Sequence, residues 1–276
     1  MSLKVFDSDN LAPSAFACDV HTHTVASRHA YSTVGECVAV AKARGLQLLG
    51  STDHYSCMTS PTVDVRDYQH YINFEVWPDV WDGVRILHGV EADIVDLKGR
   101  LFGWDIPLSA GITGRAYRKE TTLQEMVLPH AQYVIASVHD TTFCEDASLA
   151  ETTAMYVGAL EQQGVAILGH IGRSGVPFDL DEVLVCAREM GKLIEINEHS
   201  FESHYGAERH ARCRDIAVRC AELGVSISCG TDAHIATDVG DFTHTRAMLD
   251  EIGFPPELVA CADAERFLSF VPGATA

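Results

Sequence analysis

Residues 18–33 read CDVHTHTVASRHAYST and place His21, His23 and His29 within nine residues, directly after a short apolar run. Side chains at i and i+2 of a strand project to the same side, so the His21 and His23 imidazoles can reach one ion if this run is a strand. His29 follows six residues after His23, in what reads as a loop.

Six further apolar, β-branched runs resemble the first run, 16–23: they cover 46–54, 84–94, 133–140, 164–170, 192–200 and 225–234. Each has a near-continuous apolar centre, the pattern of parallel strands covered on both faces. The spacing predicts helices over 33–44, 148–163, 179–190, 206–223 and 243–252, each closing on a glycine, and a last helix over 263–270. This βα rhythm repeats about seven times, and no Pro/Ser-rich linker divides it. It predicts one α/β, barrel-like domain over residues 1–276, with a doubly wound open sheet as the competing architecture. Residues 55–83 and 95–130 interrupt the rhythm. Both follow strands, which in a barrel puts them on the C-terminal face, where function concentrates.

The ends of those runs carry the chemistry. They supply His21 and His23, then Asp53 and His54, then Glu91, His139, His170, and finally Asp232 and His234. In a parallel barrel these ends meet on one face. A lone buried histidine is usually a satisfied core residue, but histidines ending five separate strands would each need a buried partner of their own. A metal cluster accounts for the whole set. Imidazoles with a few carboxylates suit zinc, manganese or iron, and the lack of thiolates argues against a structural zinc site. With His29 there are seven histidines and two carboxylates, too many for one ion and suited to two or three. Such clusters lower the pKa of a bound water and clamp the oxygens of a displacement, which points to hydrolysis. Three divalent ions with only Glu91 and Asp232 as anionic ligands would leave about +4, favouring a phosphate ester over a neutral amide.

Composition limits the alternatives. A chain of 276 residues, 47% hydrophobic, can bury a sizeable core. It has no run of 18 or more apolar residues, and its start lacks a basic segment followed by an apolar one, so neither a membrane span nor a secretory signal is expected. The nine cysteines are scattered, odd in number and without a C-x-x-C pair. They read as small buried hydrophobes of a cytoplasmic protein. A net charge of −19 argues against nucleic acid and leaves room for a small anionic substrate only at a locally positive site.

Together the stretches His21-Thr-His23, Thr52-Asp53-His54, Gly89-Val-Glu91, His139, Gly169-His170 and Thr231-Asp232-Ala-His234 resemble the PHP family (polymerase and histidinol phosphatase domains). The runs 21–33, 70–94, 195–204 and 230–242 look closest to its trinuclear-zinc phosphatase branch. The resemblance implies a distorted (β/α)7 barrel with three divalent transition-metal ions at the C-terminal face, zinc first and manganese or iron as alternatives. It implies nine ligands: His21, His23, His29, His54, Glu91, His139, His170, Asp232 and His234. One ion would take His21, His23, Glu91 and Asp232; a second would share Glu91 and add His139 and His170; a third would take His29, His54 and His234. The implied reaction is attack of a metal-bridging hydroxide on a small phosphomonoester. Phosphodiesterase or nucleotidase action on nucleoside phosphates, and histidinol phosphate as substrate, are the alternatives. A non-catalytic metal-binding module is disfavoured because no ligand is missing.

Asp53, Asp232 and His234 are the candidate catalytic residues, Asp53 either as an acid or as an orienter of its neighbours. Residues 98–128 look like an insertion and hold Arg100, Arg115, Arg118 and Lys119. They form either a lid that grips an anionic group or a solvated loop or homo-oligomer contact. Arg173, Arg115 and Arg118 are the candidate substrate-binding residues. His199 and His70 read as pocket-lining support.

Overall fold

Each of the seven apolar runs contains a strand in the computed structural model, which describes residue 7 and residues 11–59 and 63–274. The strands are β1 (Cys18–Thr22), β2 (Leu48–Ser51), β3 (Val84–Asp93), β4 (Tyr133–Ser137), β5 (Val165–Leu168), β6 (Leu193–Asn197) and β7 (Ile227–Gly230). Their order in space follows their order in the chain, and every neighbouring pair is parallel. Just past the ends of β1 and β7 the sheet nearly closes. Thr22 bridges Ala233, the His23 N–H donates to the Ala233 carbonyl at 2.9 Å, and the Asp232 N–H donates to the His21 carbonyl at 2.7 Å. An open doubly wound sheet would instead leave two outer strands as free edges. The architecture is the distorted seven-stranded barrel.

Helices cover the outside over Val34–Ala43, Leu149–Leu160, Leu180–Glu189, Gly206–Leu223, Thr243–Glu251 and Ala264–Ser269. Their starts are set locally: Thr33 with Glu36, and Ser148 with Glu151, form capping boxes that satisfy the free N–H groups of the first turn. Gly45, at φ 77°, lets the chain leave the first helix.

One expectation needs correcting. The run 46–54 is not one strand: pairing stops at Ser51 and resumes at His54–Tyr55 against Glu91–Ala92, which turns His54 toward the mouth. The interruptions of the βα alternation at 55–83 and 95–130 are present as expected, on either side of β3, where no long helix forms. Buried Tyr55, Tyr68, Tyr71, Phe74 and Phe102 pack largely edge-to-face there and cover the barrel in place of a helix. The insertion 98–128 folds as an antiparallel hairpin (Pro107–Ala110 with Ala116–Thr122) leading into a short helix, Leu123–Val127.

Deep inside the barrel, the Tyr133 hydroxyl donates to the Val20 carbonyl at 2.6 Å. A Cβ on Gly50 or Gly89 would stand 1.9 or 2.7 Å from Tyr133 atoms, so glycine at these strand positions makes room for the ring. That plug leaves polar chemistry to the opposite, C-terminal end. All nine cysteines are free; seven are buried and fit the apolar reading, whereas Cys186 is half-buried and Cys57 exposed. Burial pushes the Cys220 thiol up to about 12, the behaviour of an inert side chain. Among the described residues no helix is long and apolar enough to cross a membrane. Residues 1–6, 8–10, 60–62 and 275–276 of the single-domain reading lie outside the described residues.

Candidate metal centre

Glu91, fully buried near the end of β3, is the hub. Its Oε1 lies 2.8 Å from His170 Nε2 and 3.3 Å from His139 Nε2. Its Oε2 lies 2.8 Å from His54 Nδ1, 3.4 Å from His21 Nε2 and 3.5 Å from His23 Nε2. Asp232 Oδ1 closes the other side, 3.0 Å from His23 Nε2 and 3.7 Å from His21 Nε2. Farther out, His29 Nε2 and His234 Nε2 are 3.0 Å apart, and the His29 ring stacks on His54 at 4.9 Å. Residues spread over more than 200 positions of the chain thus form one contiguous cluster.

Carboxylates, a hydroxyl and a carbonyl fix which nitrogen faces inward on four of the imidazoles, those of His21, His23, His139 and His234. Ser27 Oγ donates to Asp53 Oδ1 at 2.6 Å and accepts the His54 N–H at 3.1 Å. With its single proton committed to Asp53, Ser27 receives the Nδ1–H of His23 at 3.0 Å, which leaves His23 Nε2 bare. Glu195 Oε1 takes the Nδ1–H of His21 at 2.7 Å, Asp93 Oδ1 that of His139 at 2.7 Å, and the Asp232 carbonyl that of His234 at 2.8 Å. Carboxylates and carbonyls placed behind imidazoles in this way orient metal ligands and raise their basicity.

Electrostatics bind the cluster together. Burial works against the Glu91 charge, yet His139, His21 and His54 hold its carboxyl well below the usual range. Burial likewise opposes charge on His21, and Glu195, Glu91 and Asp232 more than offset it, raising that imidazole well above its ordinary value. Two ligand candidates sit on strained backbone: His170 at φ 30° and Asp232 at φ 56°. Such conformations cost about 1–3 kcal/mol each and cluster at functional sites. Here the His170 N–H donating to Glu195 Oε2 at 2.8 Å holds one of them.

The donor set fits divalent ions. His21 Nε2, His23 Nε2, His54 Nδ1 and Glu91 Oε2 are all buried without a hydrogen-bond partner, an arrangement that is costly unless something else engages them. Three groups bring one donor atom per residue within 4.8 Å of one another: His21/His23/Glu91, His54/Glu91/His139 and His23/His54/His234. His29, His170 and Asp232 adjoin these groups through the contacts above.

The cluster opens into a cavity of about 350 Å³. His29, His54, His139, Asp232 and His234 form its floor, and Met58, Arg173, His199 and Tyr205 its outer walls. Arg173 Nη2 is 2.7 Å from Asp232 Oδ2, and its guanidinium lies 5.5 Å over the Tyr205 ring. A second hollow, of about 280 Å³, adjoins Asp232 and His234 and is walled by Glu198, Glu202, Asp238 and Asp241.

The other expected residues lie elsewhere. Arg115 and Arg118 are exposed on the hairpin and line a separate hollow with Gln69, Ile72 and Met126, which holds none of the nine expected ligands. Arg100 is tied to Asp96 at 2.5 Å and stacked on Trp104 at 3.4 Å. His70 packs on Tyr71 at 3.9 Å, outside the cavity walls. Asp53 accepts from the Thr24 N–H at 2.7 Å, Thr24 Oγ1 at 2.8 Å and Ser27 Oγ, so it faces away from the cavity and braces His23 and His54. Glu195, Asp93 and Ser27 went unread in the sequence. A signal existed for two of them: Glu195 is an acid inside the apolar run LIEIN, and Asp93 shares a strand face with Glu91, two residues before it.

A parallel barrel with histidines and carboxylates converging at its C-terminal mouth defines a metal-site α/β barrel protein. The chain belongs to the PHP domain family, whose sequence profile matches residues 19–202. It is 37% identical over 257 residues to a "probable phosphatase" of Acetivibrio thermocellus, covering 93% of this chain and 95% of that one. It is 36% identical over 255 residues to a "probable phosphatase" of Caldanaerobacter subterraneus, covering 92% and 90%. Among solved structures, the histidinol phosphate phosphatase of Lactococcus lactis, complexed with zinc, L-histidinol and phosphate, shares the fold. It aligns with a TM-score of 0.55 at 20% identity over 87% of this chain and 94% of that one.

Proposed function

We propose that this protein is a metal-dependent phosphatase that hydrolyses a small phosphomonoester, using three divalent transition-metal ions, zinc first. The observation that carries this reading is the set of four buried donor atoms without a hydrogen-bond partner at the Glu91 cluster, those of His21, His23, His54 and Glu91 itself. The phosphatase names of relatives that match over nine-tenths of the chain support it. His21, His23, Glu91 and Asp232 would hold one ion, Glu91, His139 and His170 a second, and His29, His54 and His234 a third. Ions there supply Lewis acidity, lowering the pKa of water and neutralising charge on phosphoryl oxygens.

The chain's own residues do the rest. Arg173, paired with Asp232 on the cavity wall, binds a phosphate oxygen through its planar fork of donors. Asp53 acts as an orienter through Ser27, and His234 lines the cavity where the substrate would sit. Nine free thiols support a reducing, cytoplasmic setting.

The acid-walled hollow beside Asp232 favours a second substrate reading within the same chemistry, a phosphate ester whose alcohol carries an amine, such as histidinol phosphate. Phosphate release from histidinol phosphate, sugar phosphates and nucleotides by the zinc- or manganese-loaded protein tests both readings. Turnover of at least one class, abolished in His21→Ala with the fold intact by circular dichroism, is the expected result. No turnover of any class, or undiminished turnover in His21→Ala, overturns the proposal.

A further inference from the structure

Outside the cluster, one group of donors stands at the cavity rim: His199, Glu202 and His204, in the turns that follow β6. His199 Nδ1 lies 3.0 Å from Glu202 Oε1, and His204 Nδ1 lies 3.3 Å from Glu202 Oε2. One donor atom from each lies within 4.8 Å of the others. For bonds of about 2.0–2.1 Å, neighbouring ligand atoms of a tetrahedral ion are about 3.3–3.4 Å apart; the two imidazoles each meet a different oxygen of the one carboxylate near that spacing, so a small side-chain shift brings all three groups onto one ion. Two imidazoles and a carboxylate, with room for solvent ligands, are a donor set that zinc and its neighbours accept.

We infer that His199, Glu202 and His204 form a separate, exchangeable binding site for a divalent transition-metal ion at the mouth of the cavity. The site differs in kind from the buried cluster. Its side chains are 31, 50 and 58% exposed, so an ion here keeps water ligands and exchanges freely. Its three donors come from six consecutive residues, 199–204, with no contribution from the strand ends. It also touches the cavity, because His199 forms part of the wall facing His234, ring to ring at 6.2 Å. An ion bound at the rim therefore adds positive charge where an anionic substrate enters. The inference does not depend on the phosphatase reading, since it concerns binding alone.

Titration of Zn²⁺ into protein whose buried cluster is already loaded, followed by calorimetry and by Co²⁺ visible absorption, tests it. The expected result is one further, weaker binding event with a cobalt spectrum of imidazole ligation. The paired substitution Glu202→Gln with His204→Ala should weaken that event at least tenfold and leave the metal content of the buried cluster unchanged. A titration with no event beyond the buried cluster overturns the inference, as does one in which the weak event persists at full strength in the double variant.

Discussion

Glu195 Oε1 lies 2.7 Å from His21 Nδ1, although 174 residues separate the two in the chain. The same carboxylate receives the His170 N–H through Oε2 at 2.8 Å, so one buried acid on β6 sets two ligand candidates at once. In Glu195→Gln one oxygen becomes an amide that can only donate, and it then confronts a donor. The expected outcome is a 10- to 100-fold loss of metal affinity by chelator competition, the usual scale for such supporting groups. Unchanged affinity would remove Glu195 from the site.

Asp53 accepts from Ser27 Oγ, which contacts both His23 and His54, and Asp53→Asn tests whether it braces them or moves a proton. A bracing role predicts weakened metal binding, with activity largely recovered when metal is supplied in excess and the pH profile unaltered in shape. Ser27→Ala should show the same behaviour, because it frees the His23 tautomer and strands the His54 N–H. Loss of one limb of the pH–rate profile in fully loaded Asp53→Asn would instead identify a general acid.

Gly230 ends β7 against the cluster. A Cβ there would stand 2.4 Å from His21 Cβ and 2.5 Å from Glu195 Oε1, whose carboxylate is held by His21 and the His170 N–H and cannot swing away freely. Gly230→Ala should cost about 1–3 kcal/mol of stability by overpacking. Because the displaced pair is His21–Glu195, metal affinity should fall with it. A lowered melting temperature with intact metal affinity would show that the strand yields without moving His21.

Arginines separate by position. Arg173→Ala should raise KM at least tenfold while the metal content is retained, because the guanidinium lines the cavity. Arg115→Ala and Arg118→Ala should leave kcat/KM within about twofold, because exposed charges far from a site contribute little through screened solvent. A large KM effect in either hairpin variant would mean that the hairpin folds over the cavity during turnover.

Much of this protein is written locally. The seven apolar runs, the capping boxes at Thr33 and Ser148, and the histidines and carboxylates at the run ends are legible because backbone period and cap chemistry act over a few residues. The parallel character of the strands then brings their ends to one mouth, which is why the run ends stand out as candidates, while the resemblance to the PHP family implies which nine are ligands. Tertiary structure alone decided the remainder. Whether the sheet closes depends on Thr22 meeting Ala233, a contact across the whole chain. The break after Ser51, which aims His54, reflects pairing with Glu91 rather than any property of residues 46–54 themselves. Glu195 behind His21, Asp93 behind His139 and the remoteness of Arg115 and Arg118 from the cavity are matters of three-dimensional distance. Charge and residue type specify what a side chain can do, and only packing determines which partner it meets.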